Sequence, residues 1–189
     1  LPSLTITAPL PDMRFGTSSV MAIWDVVNES PYHSDITVTV GAFTRQDTGI
    51  TATSLRITDL PAGNAVMEIT VTDRAGNSMA ANVSFQVGVQ GLPLGAISVS
   101  NDDSLESLVR HMALPGNGTY DDPYVFDNIG IDAQGALHAI KVEHTSKHIV
   151  FSNLSLFNTL TVNSEPAGAG LLLKDTKDIL VRDCVIIGQ

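Results

Sequence analysis

The chain of 189 residues is 43% apolar, 5% aromatic and 16% charged, with 20 acidic against 10 basic residues for a net charge of −10. A field of that sign repels nucleic acid and anionic lipid, and no apolar run is long enough to span a bilayer, so membrane insertion drops out too. A single cysteine, Cys184, excludes an intramolecular disulfide and any Cys-based zinc site.

From Leu1 to about Val89 the chain consists of short alternating runs divided by turn residues. They are centred on residues 4–7, 20–27, 35–40, 55–58, 67–72 and 81–87. Period-2 alternation with β-branched residues predicts strands with one buried face. Asp73-Arg74-Ala75-Gly76-Asn77 predicts a hairpin turn, with Gly76 and Asn77 suited to positive φ. Six or seven such strands in about ninety residues predict a two-sheet sandwich over residues 1–90, with Trp24 in its core. The stretch from Leu60-Pro61-Ala62-Gly63-Asn64 through Met67-Glu68-Ile69-Thr70-Val71-Thr72-Asp73-Arg74-Ala75-Gly76-Asn77 resembles the late strands of prokaryotic immunoglobulin-like surface domains. That resemblance implies a spacer or adhesive module without a catalytic set.

Gly88-Val89-Gln90-Gly91-Leu92-Pro93-Leu94-Gly95 is punctuated by Gly and Pro and marks a boundary. Ile97-Ser98-Val99-Ser100 reads as a strand. Asp103 then stands three residues before Glu106, the spacing of an N-terminal capping pair. Leu105, Leu108, Val109 and Met112 form one apolar stripe. A helix over about 103–112 is expected, covering the first layer of a C-terminal stack of strands, because an open stack exposes apolar surface and unpaired strand edges.

A short phrase then recurs. Phe126-Asp127-Asn128-Ile129-Gly130-Ile131 returns as Phe151-Ser152-Asn153-Leu154-Ser155-Leu156 and as Val181-Arg182-Asp183-Cys184-Val185-Ile186. Spacings of 25 and 30 residues between first members suit a solenoid whose units bury their faces only on one another. Three columns should stack: Phe126/Phe151/Val181, Ile129/Leu154/Cys184 and Ile131/Leu156/Ile186. Asn128, Asn153 and Asp183 should share a tight turn. Cys184 thereby reads as a small core residue. The other reading is an ordinary β-sandwich with fortuitous repetition. Gly116-Asn117-Gly118-Thr119-Tyr120-Asp121-Asp122-Pro123-Tyr124, followed by the first copy, resembles the opening of the right-handed parallel β-helix of archaeal and bacterial surface proteins, a group similar to NosD-type and carbohydrate-active β-helix proteins. The resemblance covers residues 96–189, with three rungs, and makes the expected class all-β: an immunoglobulin-like sandwich, then a short, helix-capped parallel β-helix.

Candidate chemistry is sparse. Asn28, Asn82, Asn117 and Asn153 begin Asn-x-Ser/Thr sequons and are glycosylation candidates, although Asn153 also suits a structural turn. Asp121 and Asp122 are the best candidates for a Ca²⁺ site, but no EF-hand-type loop occurs. His138, His144 and His148 gather near one turn and read as solvated turn histidines. Stacking the copies sets Glu143 over Lys174 and His144 over Asp175, which is not the paired-carboxylate arrangement of a glycosidase. No catalytic set is expected, and no cofactor other than Ca²⁺.

The chain opens at Leu1 without a basic or apolar leader, which reads as a processed or partial chain. After the third copy an open edge is expected, at Cys184 and Ile186, where either further coils or another molecule would pair. Leu4 and Ile6 on the first strand offer a second edge for β-strand addition. The leading expectation is an extracellular structural subunit of a surface layer, sheath or filament, self-associating into a homopolymer or joining neighbouring surface proteins. The alternative, implied by the β-helix resemblance, is a carbohydrate-binding or carbohydrate-processing module of a larger surface protein.

Overall fold

The computed structural model describes residues 2–27, 32–160 and 169–188. The chain is all-β apart from one helix and divides into two compact units: residues 1–14 with 18–89, and residues 15–17 with 90–189.

In the first unit, β1 (Ser3–Ala8), β3 (Val20–Val27) and β6 (Ser54–Ile57) form one antiparallel sheet in the order β1-β3-β6. β4 (Tyr32–Val40), β5 (Phe43–Ile50), β7 (Gly63–Asp73) and β8 (Ser78–Val87) form a second, ordered β5-β4-β7-β8. β2 (Arg14–Phe15) adds a parallel bridge between Arg14 and Gln86. Alternation decides what is buried. Along β4 the residues Ile36, Val38 and Val40 are buried, and along β7 the residues Ala65, Met67, Ile69 and Val71. Trp24 and Ile57 of the first sheet are buried as well, an arrangement consistent with a β-sandwich. Trp24 is fully buried, and its indole N–H donates to Ser34 Oγ at 3.0 Å, which satisfies its polar edge. The hairpin between β7 and β8 is held by Asp73, whose carboxylate accepts from the Ala75 N–H, the Asn77 N–H and the Asn77 side chain. Gly76 has a positive φ of 84°; Asn77 does not share it, and its side chain donates to Asp73.

In the second unit, β9 (Ile97–Val99) leads into α1 (Asp102–Met112). Then come β10 (Tyr124–Asp127), β11 (Ile129–Asp132), β12 (His138–Thr145), β13 (Ile149–Ser152), β14 (Ser155–Thr159), β15 (Ala169–Thr176), β16 (Ile179–Arg182) and β17 (Val185–Gly188). They make three parallel ladders: β9-β12-β15, β10-β13-β16 and β11-β14-β17. Each ladder takes one strand from each layer. Register is copy on copy: Phe126 faces Phe151 and then Val181, while Ile131 faces Leu156 and then Ile186. The Phe126 and Phe151 rings pack with centroids 5.0 Å apart. Between the second and third ladders the chain turns through Asn128, Asn153 and Asp183, all left-handed with φ of 59°, 50° and 54°. Asn and Asp tolerate that region better than other non-glycine residues.

The helix corrects one expectation. Its N-cap is Asn101, not Asp103, and the capping box runs between Asn101 and Ser104. The Asn101 side chain accepts from the Ser104 N–H at 2.8 Å, and Ser104 Oγ accepts from the Asn101 N–H at 3.1 Å. Asp102 and Asp103 fall in the first turn, where the helix dipole favours negative charge. Asp102 is drawn further, to the turn after β12. Its carboxylate accepts from Thr145 Oγ1 at 2.5 Å, the Ser146 N–H at 2.9 Å and Ser146 Oγ at 2.7 Å. One turn on, Glu106 pairs with Lys147 at 2.7 Å. Leu105, Val109 and Met112 are buried on the face that packs against β9 and β12.

Candidate assembly surface

Burial along each inward column of the second unit falls abruptly at its third member. Ile131 and Leu156 are 1% exposed, but Ile186 is 48%. Phe126 and Phe151 are buried and Val181 is 39% exposed; Val99 and Val142 are buried and Leu173 is 37% exposed. Alternation and register put Leu173, Val181 and Ile186 on the inward side, so what differs is that no further layer lies on them among the described residues. β15, β16 and β17 each end their ladder, leaving one backbone edge without a strand partner among the described residues.

Cys184 is half-buried beside this surface. Its Sγ lies 3.2 Å from the Arg182 carbonyl and 3.8 Å from that of Phe151. Burial pushes its pKa up, outweighing the hydrogen bonds that act the other way, which favours the protonated thiol. Leu4 and Ile6 differ from Ile186. β1 ends its sheet with β3 on one side only, yet Leu4 is buried in its own unit and Ile6 half-buried, so what β1 offers is mainly its backbone edge.

The other sequence candidates scatter. Asn82 is exposed on β8, and Asn117 is exposed with its side-chain Oδ1 accepting from the Thr119 N–H and hydroxyl. Asn153 is half-buried in its left-handed turn and donates to Asp127 Oδ1 at 2.9 Å, which engages the nitrogen a glycan would need. Asn28 lies outside the described residues. Asp121 and Asp122 are exposed, and the Asp122 carbonyl accepts from the N–H groups of Asn117, Gly118 and Thr119. Among the described residues no three His, Cys, Asp or Glu side chains converge to hold a metal ion.

The histidines are separate as well. His138 buries Nδ1 without a protein partner, while His144 pairs with Asp175 at 3.2 Å and His148 with Asp178 at 3.7 Å. Glu143 faces Lys174 in register and pairs with Lys141 at 2.7 Å. That bond from Lys141 holds the Glu143 carboxyl below its ordinary range, which unfits it as a proton donor. No helix of the described residues is long and apolar enough to cross a membrane.

No protein-family model matches the chain. No curated protein matches it either. Solved structures similar to it include an engineered protein (13% identity, TM-score 0.39), with 47% of this chain matching 20% of that one. The fibronectin(III)-like modules of Clostridium thermocellum CbhA match at 18% identity and TM-score 0.37, over 46% of this chain and 98% of theirs. Pectate lyase Pel3 from Pectobacterium carotovorum matches at 10% identity and TM-score 0.32, over 90% of this chain and 46% of the lyase. The chain thus spans a fifth of the engineered protein and under half of the lyase. Likenesses this slight carry nothing about activity.

Proposed function

We propose that this chain is an extracellular structural segment: an immunoglobulin-like sandwich followed by a right-handed parallel β-helix that self-associates through strand edges. The fold names draw support from the antiparallel two-sheet unit and from the three parallel ladders in copy-on-copy register. Right-handedness follows from the near-universal hand of parallel crossover connections. The observation that carries the assembly reading is the drop in burial at the third layer, where Leu173, Val181 and Ile186 are uncovered beside three open strand edges.

The first layer is packed against α1, so one coil does not stack head-to-tail on the next without displacing the helix. Among the edges that remain, β1, β5 and β6, we assign that of β1 in a neighbouring copy to the open layer, added as a further strand. A contact of this kind joins unlike surfaces and generates an open-ended polymer. The exposed sequons at Asn82 and Asn117 and the low charge content fit a cell-surface location.

Negative-stain microscopy and light scattering of the purified chain test this reading. Polymers that Ile186→Lys disperses, with far-UV circular dichroism unchanged, are expected. A wild-type chain that stays monomeric at high concentration, or an Ile186→Lys variant that polymerises as before, overturns it.

A further inference from the structure

Where α1 ends, the second unit has a groove of about 480 Å³ lined by Glu106, Val109, Arg110, Leu114, Asn117 and Tyr124. Its lining comes from the last turns of α1, from the loop at 113–117 and from the first residue of β10. Val109 and Tyr124 are buried and Leu114 half-buried, so the three give the groove an apolar floor. The loop is held in place. The Val125 N–H donates to the Pro115 carbonyl at 3.1 Å, tying it to β10. Gly116 sits at φ 99°, where a Cβ would overlap the Pro123 carbonyl, so only glycine permits this approach. A recognition surface fixed in this way loses little entropy on binding.

Charge and hydrogen-bonding capacity narrow the occupant. Glu106 is the one carboxylate of the lining, and Lys147 pairs with it at 2.7 Å. Arg110 stands one helical turn on and is exposed, with no anionic partner among the described residues. The groove therefore keeps one uncompensated positive charge. Bonds from the Thr119 N–H and hydroxyl to Asn117 Oδ1 fix which end of that amide is oxygen, and leave its NH₂ group to donate. Tyr124 is 7% exposed, yet its hydroxyl is not sealed from solvent and bonds no other group among the described residues. A ring buried in the fold thus carries a free hydroxyl to the groove.

Guanidinium and amide N–H groups only donate, so the occupant must accept. A carboxylate offers about four lone-pair sites and matches the planar fork of Arg110, leaving sites for the Tyr124 hydroxyl and the Asn117 amide. An ammonium meets like charge at Arg110. A phosphate dianion is opposed by the net charge of −10 and by the negative end of the α1 dipole. The floor of Val109, Leu114 and Tyr124 adds a demand for hydrocarbon next to the carboxylate.

From this geometry we infer that the groove binds an apolar monocarboxylate, with the carboxylate on Arg110 and the hydrocarbon on Val109, Leu114 and Tyr124. A small aliphatic or aromatic acid and the last residue of a peptide present the same groups. The inference is independent of strand-edge assembly.

An amide-correlation NMR titration of the whole chain, produced without a glycan at Asn117, tests it. The probes are 3-phenylpropanoate, N-acetyl-glycyl-phenylalanine, the C-terminal amide of that dipeptide, and inorganic phosphate. At least one of the two carboxylates is expected to shift the amides of residues 106–114 and 124 saturably. The dipeptide amide and phosphate are expected to bind at least tenfold more weakly. Saturation by phenylpropanoate alone supports the inference with a small acid as the source, and saturation by the dipeptide acid alone supports it with a chain terminus. Arg110→Gln should lower affinity at least tenfold, and because Arg110 is exposed its thermal melt should match wild type. No saturable shift with either carboxylate, equal binding of the dipeptide amide or phosphate, or unchanged affinity in Arg110→Gln overturns the inference.

Discussion

Replacing Asp102 by alanine tests the bond between the capping helix and the turn after β12. The carboxylate accepts three hydrogen bonds there, and they are not equal. Thr145 is 3% exposed, so its hydroxyl loses a charged partner it cannot replace with bulk water, a loss of about 1.5 kcal/mol. The two bonds from the exposed Ser146 are discounted for solvent and together add about 0.5 kcal/mol. The total is about 2 kcal/mol, or a fall in Tm of about 8–12 °C for a unit near this size.

Acid supplies a second reading of the same bond. Hydrogen bonds from Thr145, then Ser146, hold the Asp102 carboxyl below its ordinary range, with burial opposing them. A group with a depressed folded pKa adds stability above its unfolded value, about 4, and loses that stability as pH falls through the folded value. Thermal melts of wild type and Asp102→Ala should therefore differ most near neutrality and converge in acid. Hydrogen exchange should place the loss at residues 145–147 and in α1. A fall of less than about 2 °C near neutrality, or a gap that does not narrow as the pH falls, would refute the assignment.

Two further outcomes follow from backbone geometry and close packing. Ala113 ends α1 in the left-handed region at φ 51°, where the N–H of a glycine would bond equally well, so Ala113→Gly should raise stability by about 1 kcal/mol in a thermal melt. Gly130 faces the Phe15 ring so closely that a Cβ would overlap it. Gly130→Ala should therefore destabilise the second unit by about 1–3 kcal/mol in urea unfolding at unchanged slope.

How much could be read from the sequence depended on how far apart the interacting residues stand. The repeated phrase carried the register of two ladders, since each copy presents the same inward residues at the same offsets, and Phe126, Phe151 and Val181 do pair. The left-handed turn at Asn128, Asn153 and Asp183 was legible for the same reason. β5 was missed. Its Thr44, Arg45, Gln46, Asp47 and Thr48 give no apolar alternation, because an edge strand with β4 on one side needs little of it. Its Arg45 instead pairs with Asp47 and reaches the Thr58 carbonyl, and Asp47 raises the pKa of that guanidinium.

The cap was misplaced by two residues because the Asp103–Glu106 spacing mimics a capping pair. What assigns Asp102 its role is a turn more than forty residues away, which no local pattern shows. A groove lined by Tyr120, His148 and Asp178 was invisible for a like reason: they belong to three different stretches, set side by side by the ladder register and by the backbone bond from His148 to Gly118.

The corners between strands differ in their freedom to vary. From β10 to β11 the chain turns at residue 128, and from β13 to β14 and β16 to β17 at residues 153–154 and 183–184. Between β11 and β12, by contrast, the connection is 133–137, and between β14 and β15 it is 160–168. The unequal spacing of the copies is absorbed mostly there. A residue added at the short corner would turn every following side chain inside out, whereas one added at the long corner leaves the ladders in phase. An added residue should therefore be tolerated between β11 and β12 and not at residue 128.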